Sequence, residues 1–255
     1  MTPNQKISKT REELNAMADR CRDMAEDLEE LADGLPILSM ADVAASSEPL
    51  QGFEAVSRML HEGQRPPLGQ VILTALTDGR VAKWRVIDST RMAQQLGSGV
   101  RPIVAQLAEI LDYRPFSRPD KAHPWGWNNY EASELAAWLD DVFARELMRD
   151  EDFGCLVGRT DIGGKRRHVW LLSEEEAGYD DLEKAFAWYA CEDEEEREKR
   201  RKLTDSDGDA AIWWLRTPHS GHANSVRFVY TSGALNSGYY GAYNAYGVAP
   251  ACIIG

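Results

Sequence analysis

The chain has 255 residues, of which 43% are hydrophobic and 28% charged, with eight Trp and a formal net charge of -13. That describes a globular protein able to bury a full core, as one large domain with an appendage or as two small ones. The acidic balance excludes a sequence-wide basic field for a phosphate backbone, so nucleic acid is not an expected partner, despite basic runs at Lys165-Arg166-Arg167 and Lys199-Arg200-Arg201-Lys202. Met1 to Thr10 lacks the apolar core of a signal peptide. No segment approaches the ~18 apolar residues of a membrane-spanning helix. The expectation is a protein made in the cytoplasm with no membrane insertion.

From Ile7 the apolar residues Leu14, Met17, Cys21, Met24, Leu28 and Leu31 recur at alternating spacings of three and four, the a and d seam of a heptad. Thr10 with Glu13 forms a capping box, and Gly34 before Leu35-Pro36 is a stop. Residues 1–34 therefore read as a coiled-coil-type helix. Ala18, Ala25 and Ala32 widen its face, which suits either a homo-oligomer through residues 7–31 or packing on the chain's own body. Residues 35–51 read as a linker and 52–255 as the main domain.

Within that domain Phe53 to His61 has helical spacing ended by Gly63. Val71-Ile72-Leu73 and Val81 to Ile87 flank Asp78-Gly79, a hairpin signal over 70–88. Pro102 starts an expected amphipathic helix with Ile103, Val104, Leu107, Ile110 and Leu111 on one face, and a second helix is expected over 131–148. His168 to Leu172 reads as a short strand and 180–190 as helix. The charge run 192–202 reads as a solvated helix face or loop.

Cys21, Cys155, Cys191 and Cys252 are scattered without a CxxC pair, which fits reduced thiols. His219 and His222 flank Gly221 in a loop-like context, and no HExxH is present. Neither a metal nor a cofactor is expected.

Composition shifts at Thr217. From there to Gly255 there is no Asp, Glu or Lys and a single Arg, Arg227, while five of the nine Tyr fall in this stretch among Asn, Ser and Gly. Tyr gives large amphipathic contact area at low rotamer cost, and Ser, Asn and Gly give adaptable hydrogen bonding, as in antibody loops. Ser220, His222, Asn224, Ser225, Arg227, Asn236, Tyr239, Tyr240, Tyr243 and Asn244 are the expected ligand-contacting residues, with no catalytic residue among them. Phe228, Val229 and Val248 read as core. Trp213 and Trp214 are adjacent, so at most one is expected to point into the core. Arg216 reads as a structural donor to loop carbonyls.

The blocks Trp213-Trp214-Leu215-Arg216-Thr217-Pro218, Val229-Tyr230-Thr231-Ser232-Gly233 and Tyr246-Gly247-Val248-Ala249-Pro250-Ala251-Cys252-Ile253 resemble, in this order, a bacterial and phage domain family with a WWLRSP…YGVRPA signature. The likeness extends through Trp170-Leu171-Leu172-Ser173-Glu174 and 131–148 to the hairpin, covering about 50–255. That family resembles the formylglycine-generating-enzyme branch of the C-type lectin fold and the variable proteins of diversity-generating retroelements. The resemblance implies an α+β, C-type-lectin-like domain that displays a diversified ligand-binding surface just before its terminal strand. The paired catalytic Cys of the oxidases and the calcium and sugar motifs of animal lectins have no counterpart here.

The resulting functional expectation is a non-enzymatic recognition protein, adhesin-like and phage- or prophage-encoded, that is virion-associated and binds a cell-surface protein or glycan. Two alternatives stay open. One is a structural virion or scaffold protein whose tyrosines are interface residues. The other is a formylglycine-generating-enzyme-like enzyme using His219 or His222 as base and Arg227 as anion anchor.

Overall fold

The Asp78-Gly79 turn places Gly79 at φ 89°, a left-handed conformation that glycine adopts without a Cβ penalty. It joins β2 (Val71–Ala75) to β3 (Val81–Asp88) as an antiparallel hairpin, matching the sequence expectation. The computed structural model describes residues 48–89, 101–179, 181–235 and 241–255, all within one compact unit. The expected coiled-coil helix and most of the expected linker lie outside the described residues. The last two linker residues form β1 (Leu50–Gln51), which pairs parallel with β2. No helix among the described residues is long and apolar enough to cross a membrane.

The fold is mixed α+β, with more sheet than helix. A six-stranded sheet runs in the order β1, β2, β3, β4 (Ile103–Leu107), β13 (Ala251–Ile254) and β7 (Val169–Trp170). A four-stranded sheet runs β11 (Val226–Val229), β10 (Trp213–Pro218), β12 (Ala245–Gly247) and β6 (Tyr113–Pro115). A three-stranded sheet joins β5 (Glu109–Ile110), β8 (Leu203–Asp205) and β9 (Ala210–Ala211). The closing strand β13 thus lies inside the largest sheet, next to its edge strand β7 and antiparallel to both neighbours.

The amphipathic helix expected after Pro102 is instead the strand pair β4 and β5. All five residues of β4 are buried, because it lies between β3 and β13 with both faces covered. A short apolar run buried on both faces shows no alternation, so periodicity alone does not separate strand from helix. The helix expected over 180–190 is a series of turns. There the backbone bonds outward, with Phe186 N donating to Glu176 O and Trp188 N to Ile87 O, and these tertiary bonds override local helix spacing.

The helices expected at 53–61 and within 131–148 are present. α1 (Phe53–His61) buries Phe53, Val56 and Leu60, and its first free amide, Phe53 N, donates to the Asp152 carboxylate at 2.7 Å. α2 (Glu134–Trp138) starts at Ser133, whose hydroxyl accepts from Ala136 N, and continues as a π-helix over Leu139–Leu147. α3 is Asp150–Gly154. Trp84 of β3 fastens two of these to the sheet: it is fully buried, meets Phe53 at 5.3 Å and Phe143 at 6.2 Å edge-on, and donates from Nε1 to Thr74 Oγ1. Burying an aromatic ring of this size stabilises by about 3 kcal/mol.

Both Trp213 and Trp214 are fully buried, which corrects the expectation of at most one in the core. Their side chains do alternate, but both faces of β10 are covered. Trp213 Nε1 donates to Arg201 O and Trp214 Nε1 to Arg114 O, so neither indole strands a donor. Phe228, Val229 and Val248 are core residues, as expected, and Cys252 is buried with them.

The charge run forms α4 (Glu194–Arg201), capped by the Asp193 carboxylate. Glu194, Glu195 and Lys199 face solvent, but Arg201 is fully buried. Arg201 lies 3.7 Å over the Tyr179 ring and donates to Ala177 O and Gly178 O at 2.9 and 2.8 Å. Arg201→Ala would leave those carbonyls unsatisfied and is expected to cost about 3 kcal/mol. Lys202→Ala, at an exposed neighbour, should change stability by less than about 0.5 kcal/mol. Urea unfolding of the two variants checks the contrast.

Candidate functional site

Three loops are hydrogen-bonded together beside the four-stranded sheet: 117–133 after β6, 219–225 between β10 and β11, and 241–244 before β12. Asn128 ties the first two. Its backbone N donates to Ala223 O at 2.9 Å, and its side-chain amide donates to His219 O and His222 O at 3.3 and 3.0 Å. Ala242 N donates to Asn224 O, and Ser117 N to Ala242 O. Gly126 makes the closest approach, since at φ +77° a Cβ there would lie 2.6 Å from Ser117 O and 3.2 Å from Tyr243 N. The flanking indoles Trp125 and Trp127 are thereby fixed beside the tyrosine loop.

Trp125 is 61% exposed, the most exposed large hydrophobic among the described residues, and lies 6.0 Å from the 43% exposed Tyr243. Trp127 stacks on His123 at 4.8 Å with 5° between the planes. It also lines a cleft of ≈ 550 Å³ together with Asn128, Asn129, Tyr130, Glu131, Asp161, Ile162, Gly163, Ser173, Arg216, Thr217 and Pro218. That volume falls in the range of small-ligand clefts, about 300–1,000 Å³.

The cleft wall is an ion-pair network. Glu176, buried behind it, receives Arg216 through both guanidinium arms, one at 3.0 Å, and Arg159 at 3.0 Å. Burial alone would raise its pKa, but the charges and hydrogen bonds of Arg216 and Arg159 outweigh that and hold it below the ordinary glutamate value. Arg159 also grips Asp161, and that hydrogen bond and charge keep Asp161 low. Arg216 additionally donates to Leu171 O, so its expected role toward loop carbonyls holds, with the Glu176 pair as its larger task. On the cleft floor, burial pushes Tyr130 up to about 12, and its neutral hydroxyl accepts from Leu171 N.

The structure distributes the expected contact residues unevenly. Ser220 and His222 are exposed, Asn224 and Asn244 half-buried, and Tyr243 exposed, all on the joined loops. Ser225 is 3% exposed, which corrects its place among ligand contacts; it begins the paired stretch and bridges to Gly241 across an antiparallel pair. Arg227 is half-buried, 3.4 Å from Glu174. An anion-anchor role would therefore compete with that carboxylate. Asn236, Tyr239 and Tyr240 lie outside the described residues.

Sequence reasoning missed Trp125, Trp127, Asn128, Asn129, Glu131 and Asp161. The signal was present in Trp125-Gly126-Trp127-Asn128-Asn129, the same aromatic, amide and glycine mixture as the C-terminal segment. It follows Arg118, Asp120 and Lys121, so no composition shift marked it.

Fold and site together define an α+β domain with a loop-built aromatic face beside a polar cleft. The chain belongs to the family described as Domain of unknown function (DUF6273), whose model matches residues 107–255. That span contains the three loops and the whole cleft wall. Neither the curated proteins nor the solved structures gave a match.

Two expected outcomes follow for the site. Glu176 has a depressed folded-state pKa, so its stabilisation is complete above the unfolded value of about 4.3 and is lost as pH falls through the folded value. Glu176→Gln should cost about 3 kcal/mol at pH 7 by leaving two guanidiniums without their carboxylate. Its urea midpoint should then change less than that of the wild type between about pH 5 and 3. Gly126→Ala, strained and in collision with Ser117 O, should cost about 2 kcal/mol. Its tryptophan emission should shift from wild type as Trp125 and Trp127 move, which fluorescence of the folded variant checks.

Proposed function

We propose that this protein is a non-enzymatic recognition protein that presents the three-loop face and its cleft to a cell-surface protein or glycan. The carrying observation is the convergence of Trp125, Trp127, Tyr243, His222 and Asn224 on loops locked together through Asn128 and Gly126. Aromatic groups with low rotamer entropy on a rigid frame give binding energy without large ordering costs. The buried network behind Arg216 fixes the cleft wall in the same way.

The reading includes a C-type-lectin-like arrangement, supported by the terminal strand β13 paired on both edges inside the six-stranded sheet and by irregular loops joined beside the four-stranded sheet. It also includes a phage or prophage setting and an N-terminal segment, residues 7–31, that oligomerises or attaches the domain.

The test is capture of host-cell-surface extract by the full-length protein and by the Trp125→Ala/Tyr243→Ala double variant. Both replaced residues are exposed, so the fold should survive their loss. The expected outcome is at least about tenfold weaker capture by the double variant. Equal capture by a folded double variant would contradict the assignment of this face.

A further inference from the structure

We infer that the cleft binds a neutral oligosaccharide, seated on the Trp127 ring and hydrogen-bonded by Asn128 and Asn129. The inference rests on the loop-face reading and names the ligand class for its cleft. A sugar ring has one face of C–H groups and an edge of hydroxyls that both donate and accept. A site that fits it offers a fixed flat aromatic surface beside mixed donors and acceptors, with little unmatched charge.

Each of these is present. Trp127 is held flat by its parallel stack on His123 while lining the cleft. The Asn128 amide N–H groups go to His219 O and His222 O, which turns its Oδ1 to the role of acceptor. Asn129 is oriented the opposite way: its Oδ1 accepts from Ala132 N, leaving its amide N–H groups to donate. Two neighbouring amides thus present one acceptor and one donor set, the pattern a vicinal diol satisfies.

Charge argues against an ionic ligand. Arg216, which could hold an anion, is matched by Glu176, and Asp161, which could hold a cation, is matched by Arg159. Glu131 is exposed and acts in high dielectric, so it serves better as a hydrogen-bond acceptor than as an electrostatic anchor. The Trp125–Tyr243 pair, beyond Gly126, supplies a second aromatic platform, so the ligand is a chain of sugar units.

The test applies the full-length protein to an array of neutral, anionic and amine-bearing oligosaccharides, followed by tryptophan-fluorescence titration of the sugars that bind. A neutral oligosaccharide is expected to bind, with affinity changing less than about twofold between low and high salt. Trp127→Ala should weaken binding by about tenfold and Asn129→Ala by several-fold, while Trp127→Tyr, which keeps a flat ring, should retain most of it. Binding restricted to charged sugars with steep salt dependence, binding indifferent to Trp127→Ala and Asn129→Ala, or no sugar bound overturns the inference. Periodate treatment of the surface extract separates this from the broader reading. Capture that depends on Trp125 and Tyr243 but survives periodate keeps the recognition face and removes the sugar; capture that ignores those residues removes both.

Discussion

The structure around the cleft depends on one buried carboxylate. Glu176 receives Arg216 from β10 and Arg159 from the segment before β7, and through its own turn it exchanges hydrogen bonds with Ser173. Three stretches far apart in sequence are therefore held at one point by charge-assisted bonds in a dry setting, where each bond is worth more and each loss costs more. Arg159 also lies 4.6 Å over the Trp170 ring, linking the same point to the strand beside β13. The wall of the cleft is rigid because moving any one of these groups would strand a buried charge.

A fixed wall lets short, irregular loops hold a defined arrangement. The three loops contain little regular structure, yet Asn128 satisfies carbonyls from the 219–223 loop and Gly126 lets the aromatic loop approach Ser117 and Tyr243 closely. Loops on a fixed scaffold tolerate side-chain change at exposed positions, since their backbone bonds do not depend on those side chains. Tyr243, Ser220 and His222 occupy such positions. Trp213, Trp214 and Phe228 belong to the scaffold instead, packed without solvent exposure.

Much of the fold could be read from the sequence where a local signal had a single meaning. Asp78-Gly79 specified a hairpin, the apolar spacing within 131–148 a helix, and Phe228, Val229 and Val248 the core. Reading failed where burial was two-sided. β4 lost its alternation because both its faces are covered, and the same condition placed both adjacent indoles of β10 inside. It failed again at 180–190, where carbonyl partners distant in sequence decide the backbone. Composition singled out the C-terminal segment, of which Ser220, His222 and Tyr243 are exposed on the joined loops. Trp127 and Asn129 were not legible, because the cleft forms only when a loop near residue 127 meets Arg216 from β10, a contact that no local pattern encodes.

The central claim is that the three loops and the cleft beside them form the contact surface. Hydrogen–deuterium exchange of the full-length protein, alone and saturated with material captured from a host-cell surface, tests it most directly. The account predicts slowed exchange concentrated in residues 118–131, 217–225 and 241–244, with the β2–β3 hairpin unchanged. Protection confined to the hairpin side of the six-stranded sheet or to α4, with the three loops unaltered, would contradict it.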